Sequence, residues 1–110
     1  MAWPRDPVEA YKYNQVNGAS GPELVLMAYD AALLGCGRCD LIKTTRALSV
    51  LRNSLDVERG PLALQLLNIY LYCADLARSR HYDEAAKILR DLRETWSKAN
   101  QAYVTQAVSV

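Results

Sequence analysis

Histidine occurs once in this chain of 110 residues, at position 81. That scarcity excludes the di-iron bundle chemistry built on paired Glu-x-x-His motifs. No Ser–His–Asp order and no Gly-rich phosphate loop can be read either. Neither sign of charge dominates: 13 Lys and Arg stand against 12 Asp and Glu, a formal net charge of +1. No basic stripe with interleaved aromatics is present, so nucleic acid is not expected as a partner. No apolar run reaches the roughly 18 residues of a membrane span, so no membrane insertion is expected. The opening M-A-W-P-R-D-P does not follow a signal-peptide pattern. Three cysteines, an odd number, fit reduced thiols and a cytoplasmic location. Strand-like alternation is missing throughout. The expectation is a protein that is not an enzyme and needs no cofactor and no metal.

What is present is helix, organised around Ser20 to Leu34, S-G-P-E-L-V-L-M-A-Y-D-A-A-L-L. Ser20 with Glu23 reads as a capping box, and Pro22 suits a first turn. The stretch is apolar nearly all round, with Glu23 and Asp30 its only charges. Such a helix lies at the centre of a bundle or keeps a second apolar face for a partner. Before it, residues 1–19 read as an arm with a short helix started by Asp6 and Pro7. That helix is too short to be stable alone, and Tyr11 and Val16 are the residues able to dock it.

Gly35 or Gly37 is expected to close the first long helix in the left-handed conformation, and Asp40 to cap the next. Leu41, Thr45, Leu48, Leu51 and Leu55 then mark one helical face. Pro61 begins a third helix to about Arg80, with Leu62, Leu66, Ile69, Tyr70, Cys73, Leu76 and Ala77 on one side. Leu64, Leu67, Leu71 and Tyr72 widen that face beyond what one neighbour covers. Asp83 is expected to cap the last helix, where Ala85, Ile88, Leu89, Leu92, Trp96, Ala99 and Tyr103 recur at helical spacing. Trp96 and Tyr103 are expected in one buried seam. The whole predicts an all-α, antiparallel up-down four-helix bundle over residues 20–103, with a loose tail at 104–110. Cys36 and Cys39 form a C-x-x-C pair. Neither a βαβ setting nor a convincing set of four ligands with Cys73 and His81 accompanies it, so the three thiols read as small core or half-buried groups.

Residues 10–33, A-Y-K-Y-N-Q-V-N-G-A-S-G-P-E-L-V-L-M-A-Y-D-A-A-L, resemble the opening of the flagellin export chaperone family, FliS. That family begins A-Y-x-x-x-x-V, followed by T-A-S-P-x-x-L-[IV]-x-M-L-Y-D-G-A. Residues 51–60, L-R-N-S-L-D-V-E-R-G, are similar to its E-L-x-x-S-L-D-x-E-x-G. Residues 66–72, L-L-N-I-Y-L-Y, are similar to its N-L-x-x-L-Y-x-Y, and 88–96, I-L-R-D-L-R-E-T-W, to its L-L-x-x-L-R-x-A-W. Gly18 replaces the family's Thr, its Pro is displaced to Pro22, and the segment from Leu34 to Leu48 is shorter than usual. The resemblance implies a cytoplasmic flagellar secretion chaperone. It would hold the C-terminal helices of flagellin in apolar grooves, prevent premature polymerisation and hand the client to the flagellar export gate. The partner-binding residues are then Tyr11 and Val16 on the arm, Leu24, Met27 and Tyr29 on the first long helix, and Leu67, Tyr70 and Leu71 on the third. A weak homodimer is expected while the groove stands empty. A FliS-like helical adaptor with a different protein partner is the alternative.

Overall fold

A computed structural model describes residues 21–56, 58 and 60–108, with side chains described between Glu23 and Ala99. The expected arm, including Tyr11 and Val16, and the Ser20 half of the capping box lie outside the described residues. Four helices follow in order: α1 Gly21–Gly37, α2 Leu41–Asn53, α3 Pro61–Arg78 and α4 Tyr82–Val108. They form an all-α four-helix bundle, and no strand occurs among the described residues. Each helix packs on its chain neighbours and α4 closes against α1. The α1–α2 pair is the most intimate and α3–α4 the least.

The two turns at one end of the bundle are built alike. At the end of α1, the Cys39 amide donates to the Cys36 carbonyl (3.1 Å) and the Asp40 amide to the Gly35 carbonyl (2.9 Å). At the end of α3, Arg80 donates to Ala77 (3.0 Å) and His81 to Leu76 (2.8 Å). This is the Schellman pattern, which satisfies carbonyls the helix leaves unpaired. It needs one left-handed residue, and here Cys39 (φ 51°) and Arg80 (φ 65°) supply it. The expected Gly35 and Gly37 do not: both lie within α1. A left-handed non-glycine residue is strained by its Cβ. Cys39→Gly and Arg80→Gly are therefore each expected to stabilise the fold, by about 0.5–1 kcal/mol after the loss of chain entropy. Urea unfolding checks this, and a lower midpoint for both variants would refute it.

Asp40 caps α2 as expected, its carboxylate accepting from the Lys43 amide at 3.0 Å. Pro61 opens α3 behind Gly60, whose φ of 132° only glycine adopts easily. The last helix begins at Tyr82, two residues earlier than a cap at Asp83 allows. The His81 carbonyl already accepts from Ala85, so Asp83 and Glu84 both lie in the first turn, where carboxylates suit the helix dipole. At its far end α4 continues to Val108, past the boundary expected at 103. Neither Gly nor Pro interrupts A-Y-V-T-Q-A-V.

The core draws on all four helices, among them Ala32, Leu51, Cys73 and Leu89. It is not evenly spread along them. Between Pro61 and Ile69, and between Arg90 and Ala99, no residue is fully buried. Those stretches lie toward the end away from the two short turns. The bundle is thus closed and densely packed at one end and open along α3 and α4 at the other. Trp96, expected in the core, is half-buried there and packs against it, while Ala99 is exposed.

Candidate functional site

At the centre of the bundle, Tyr29 on α1 and Tyr70 on α3 meet hydroxyl to hydroxyl at 2.6 Å. Their rings lie edge to face, 6.2 Å between centroids. The two are only 2% and 3% exposed. Burial pushes the Tyr29 phenol above its ordinary range, and the hydrogen bond to Tyr70 adds to this. Tyr70 is also raised by burial, with its bond to Tyr29 opposing. Beside them burial pushes the Cys73 thiol up to about 11. The Cys36 thiol is raised too, again by burial, with the Thr44 hydroxyl working against the shift. These are protonated, inert core groups at neutral pH, with nothing of the lowered thiol pKa that nucleophilic chemistry needs.

The C-x-x-C pair is split by its surroundings: Cys36 is buried and Cys39 exposed. His81 is exposed at the neighbouring turn. No three His, Cys, Asp or Glu side chains gather into a metal-holding group among the described residues. No helix described here is long and apolar enough to cross a membrane.

Next to Tyr29, Asp30 reaches α4. Both of its oxygens accept from the Arg93 guanidinium, which pins α4 to α1 at the bundle surface. Adjacent residues of one quoted motif thus meet residues of two others, Tyr29 with Tyr70 and Asp30 with Arg93. Sequence reasoning placed Arg93 on the outer face without assigning it a partner. Its place in a quoted motif was the available signal.

The residues assigned to a partner divide sharply. Leu24, Tyr29 and Tyr70, assigned to a partner from the resemblance, lie in the core. A residue satisfied inside the bundle has little area left to offer. Met27 is 45% and Leu71 42% exposed, and Leu67 is half-buried. Further large apolar groups lie in the open: Leu62 at 68%, with Tyr72 and Leu64 each about half exposed. Leu62 was expected to face inward. It lies instead in the part of α3 where the bundle is open. No protein-family model, no curated protein and no solved structure matches the chain. The site therefore has to be read from its own chemistry. Single exposed leucines are ordinary on protein surfaces. On α3, however, Leu64 and Leu71 stand seven residues apart on one face with Tyr72 beside them, and an exposed apolar face of that kind marks an interaction surface.

Proposed function

We propose that this bundle is a flagellar secretion chaperone, holding the C-terminal helices of flagellin against its apolar surface in the cytoplasm until export. The observation that carries the reading is the apolar surface of α3 outside the core, where Leu64 and Leu71 share one face and Tyr72 flanks it. Amphipathic helices bind by laying an apolar stripe into such a surface. The resemblance of four ordered segments to the flagellin export chaperones supports the client. The meeting of their residues, Tyr29 with Tyr70 and Asp30 with Arg93, is consistent with segments that belong to one fold. Delivery to the export gate belongs to the same proposal. An arm at 1–19 covering the surface, with Tyr11 and Val16 as its anchors, would lower apparent affinity until displaced.

Calorimetry of the full chain with a C-terminal flagellin peptide from the same organism tests this. Binding with a negative heat-capacity change is expected, because apolar surface is buried. Removing residues 1–17 is expected to tighten it. Light scattering in the same titration should find a weak dimer that dissociates as the peptide binds. Absence of any binding to that flagellin would overturn the proposal.

A second reading is a helical adaptor that keeps the fold and takes a different protein partner. The favouring observation is the reduced connection between α1 and α2, with only Arg38, Cys39 and Asp40 between them, and an α2 of just 13 residues. A client that needs a longer α1–α2 hairpin would lose contact there. Copurification of another protein, with flagellin absent, decides for this reading.

A further inference from the structure

A groove of about 290 Å³ runs between α2 and α3, on the opposite side of the bundle from the Asp30–Arg93 pair that joins α1 to α4. Its floor is apolar, made by Leu48, Tyr70, Leu71 and Ala74. Its rim carries Arg46, Arg52 and Arg78. No carboxylate lines it. The α2 segment L-I-K-T-T-R-A-L-S-V-L-R-N has three basic residues and no acidic one, so its whole outer surface is of one sign. Asp75 touches Arg78 at 2.9 Å, yet the Arg78 side chain remains 60% exposed and open to a second partner. The two hydroxyls on the wall do not compete for a ligand as donors. Thr45 already donates to the Leu41 carbonyl (2.8 Å) and Ser49 to the Thr45 carbonyl (3.0 Å).

We infer that this groove is a docking site for an acidic amphipathic helix, whose apolar stripe lies on Leu48, Leu71 and Ala74 while carboxylates beside the stripe meet the three arginines. The shape decides for a helix over a compact anion. On α2 the lining runs from Thr45 to Arg52, and on α3 from Tyr70 to Arg78. Each span is about two helical turns, roughly 10 Å of groove parallel to the axes. Because the two helices run in opposite directions, Arg78 and Arg52 stand at opposite ends, with Arg46 between them. Three cations spread over two turns match carboxylates spaced along a helix. They are too dispersed to converge on one small anion. Leu71 lies in both the groove and the apolar face of α3, so an occupant of the groove would continue onto that face. The inference rests on the reading of the bundle as a client-binding protein, and not on flagellin being the client.

The arginines would set selectivity and approach more than raw affinity. The test uses the full chain and two designed helical peptides of about 20 residues, long enough to be partly helical alone. Both carry the same leucine stripe, one flanked by glutamates and the other by lysines. Methyl resonances of Leu48, Leu71 and Ala74 locate the binding. The acidic peptide is expected to bind roughly tenfold tighter at low salt, since exposed ion pairs contribute small factors that multiply. That advantage should shrink in about 1 M salt, where screening acts within ~3 Å. Arg46→Glu with Arg52→Glu should remove it while leaving the helical circular dichroism unchanged, because both side chains are exposed. Equal binding of the two peptides, resonance shifts elsewhere than this groove, or saturation of the arginines by inorganic phosphate without peptide binding would each overturn the inference. Flagellin failing to bind while the acidic probe does removes the client and leaves the groove. The reverse outcome removes the groove alone.

Discussion

Gly35→Ala is expected to destabilise the bundle by about 2–3 kcal/mol, although alanine is the better helix former by about 1 kcal/mol. Gly35 is buried inside α1, where α2 crosses it. A Cβ there would stand 2.5 Å from the Thr44 hydroxyl oxygen, 2.8 Å from the Thr44 backbone nitrogen and 3.1 Å from its Cα. The hydroxyl cannot simply turn away, because it donates to the Asp40 carbonyl at 2.8 Å and Thr44 is fully buried. The backbone atoms cannot turn at all. The added methyl must push α1 and α2 apart across the closest interface of the molecule, and overpacking of this kind outweighs the gain in propensity. Gly37→Ala is the control. Nothing lies within 4 Å of a Cβ at that position, so the same substitution two residues on should be neutral or slightly stabilising. Denaturant unfolding of the two variants separates the cases. A Gly35→Ala protein as stable as the original would mean that the helices part without cost.

The tyrosine pair carries the second large effect. Tyr29→Phe or Tyr70→Phe should each cost about 2 kcal/mol, because the remaining hydroxyl is left buried without its partner. No buried side-chain nitrogen or oxygen lacks a partner among the described residues, so each variant would introduce a defect otherwise missing from this core. The double Phe variant should be more stable than the worse single one, since no polar group is then stranded. Additive losses in the double-mutant cycle would deny the coupling. The same burial sets the response to alkali. Tyr29, Tyr70 and the thiols of Cys36 and Cys73 all hold their protons longer folded than unfolded. Above the ordinary range of each group the unfolded chain binds fewer protons, so stability falls as pH rises. It should be flat below about pH 8, decline through the thiol range, then steepen past about pH 10 by ~1.4 kcal/mol per pH unit for each phenol. Loss of one phenol should make that last limb shallower.

Helix number and most of the punctuation were legible in the sequence because they are local. Asp40 sits one residue before α2 and Pro61 opens α3, and both act through neighbours a few residues away. The facing of α2 was not legible. Leu41 is exposed, while Thr44 and Ala47 are fully buried in its place. Periodicity rewards the larger side chains, but the close approach at Gly35 admits only small ones. For the same reason the sequence showed a surplus of apolar surface on α3 without saying which leucines would form it. Burial of Leu62 or Leu66 depends on what stands opposite, and that is a property of the whole bundle. The Asp30–Arg93 link joins positions 63 apart, beyond any local rule. The left-handed residue at the end of α1 was misplaced because two glycines nearby were the natural candidates, whereas the turn length puts Cys39 there.

The two brief turns at the closed end also bear on how the chain reaches this state. Each joins a pair of antiparallel helices whose contacts lie near in sequence, so closing them costs little chain entropy and favours rapid folding. The α1–α2 hairpin, with its dense small-residue interface, is the natural place for order to begin. The first half of α3 and the middle of α4, which bury least, would be ordered last and released first. Local opening would then be confined to the end that carries Leu62 and Leu64. A partner could be admitted there while the folding nucleus at the other end stays intact.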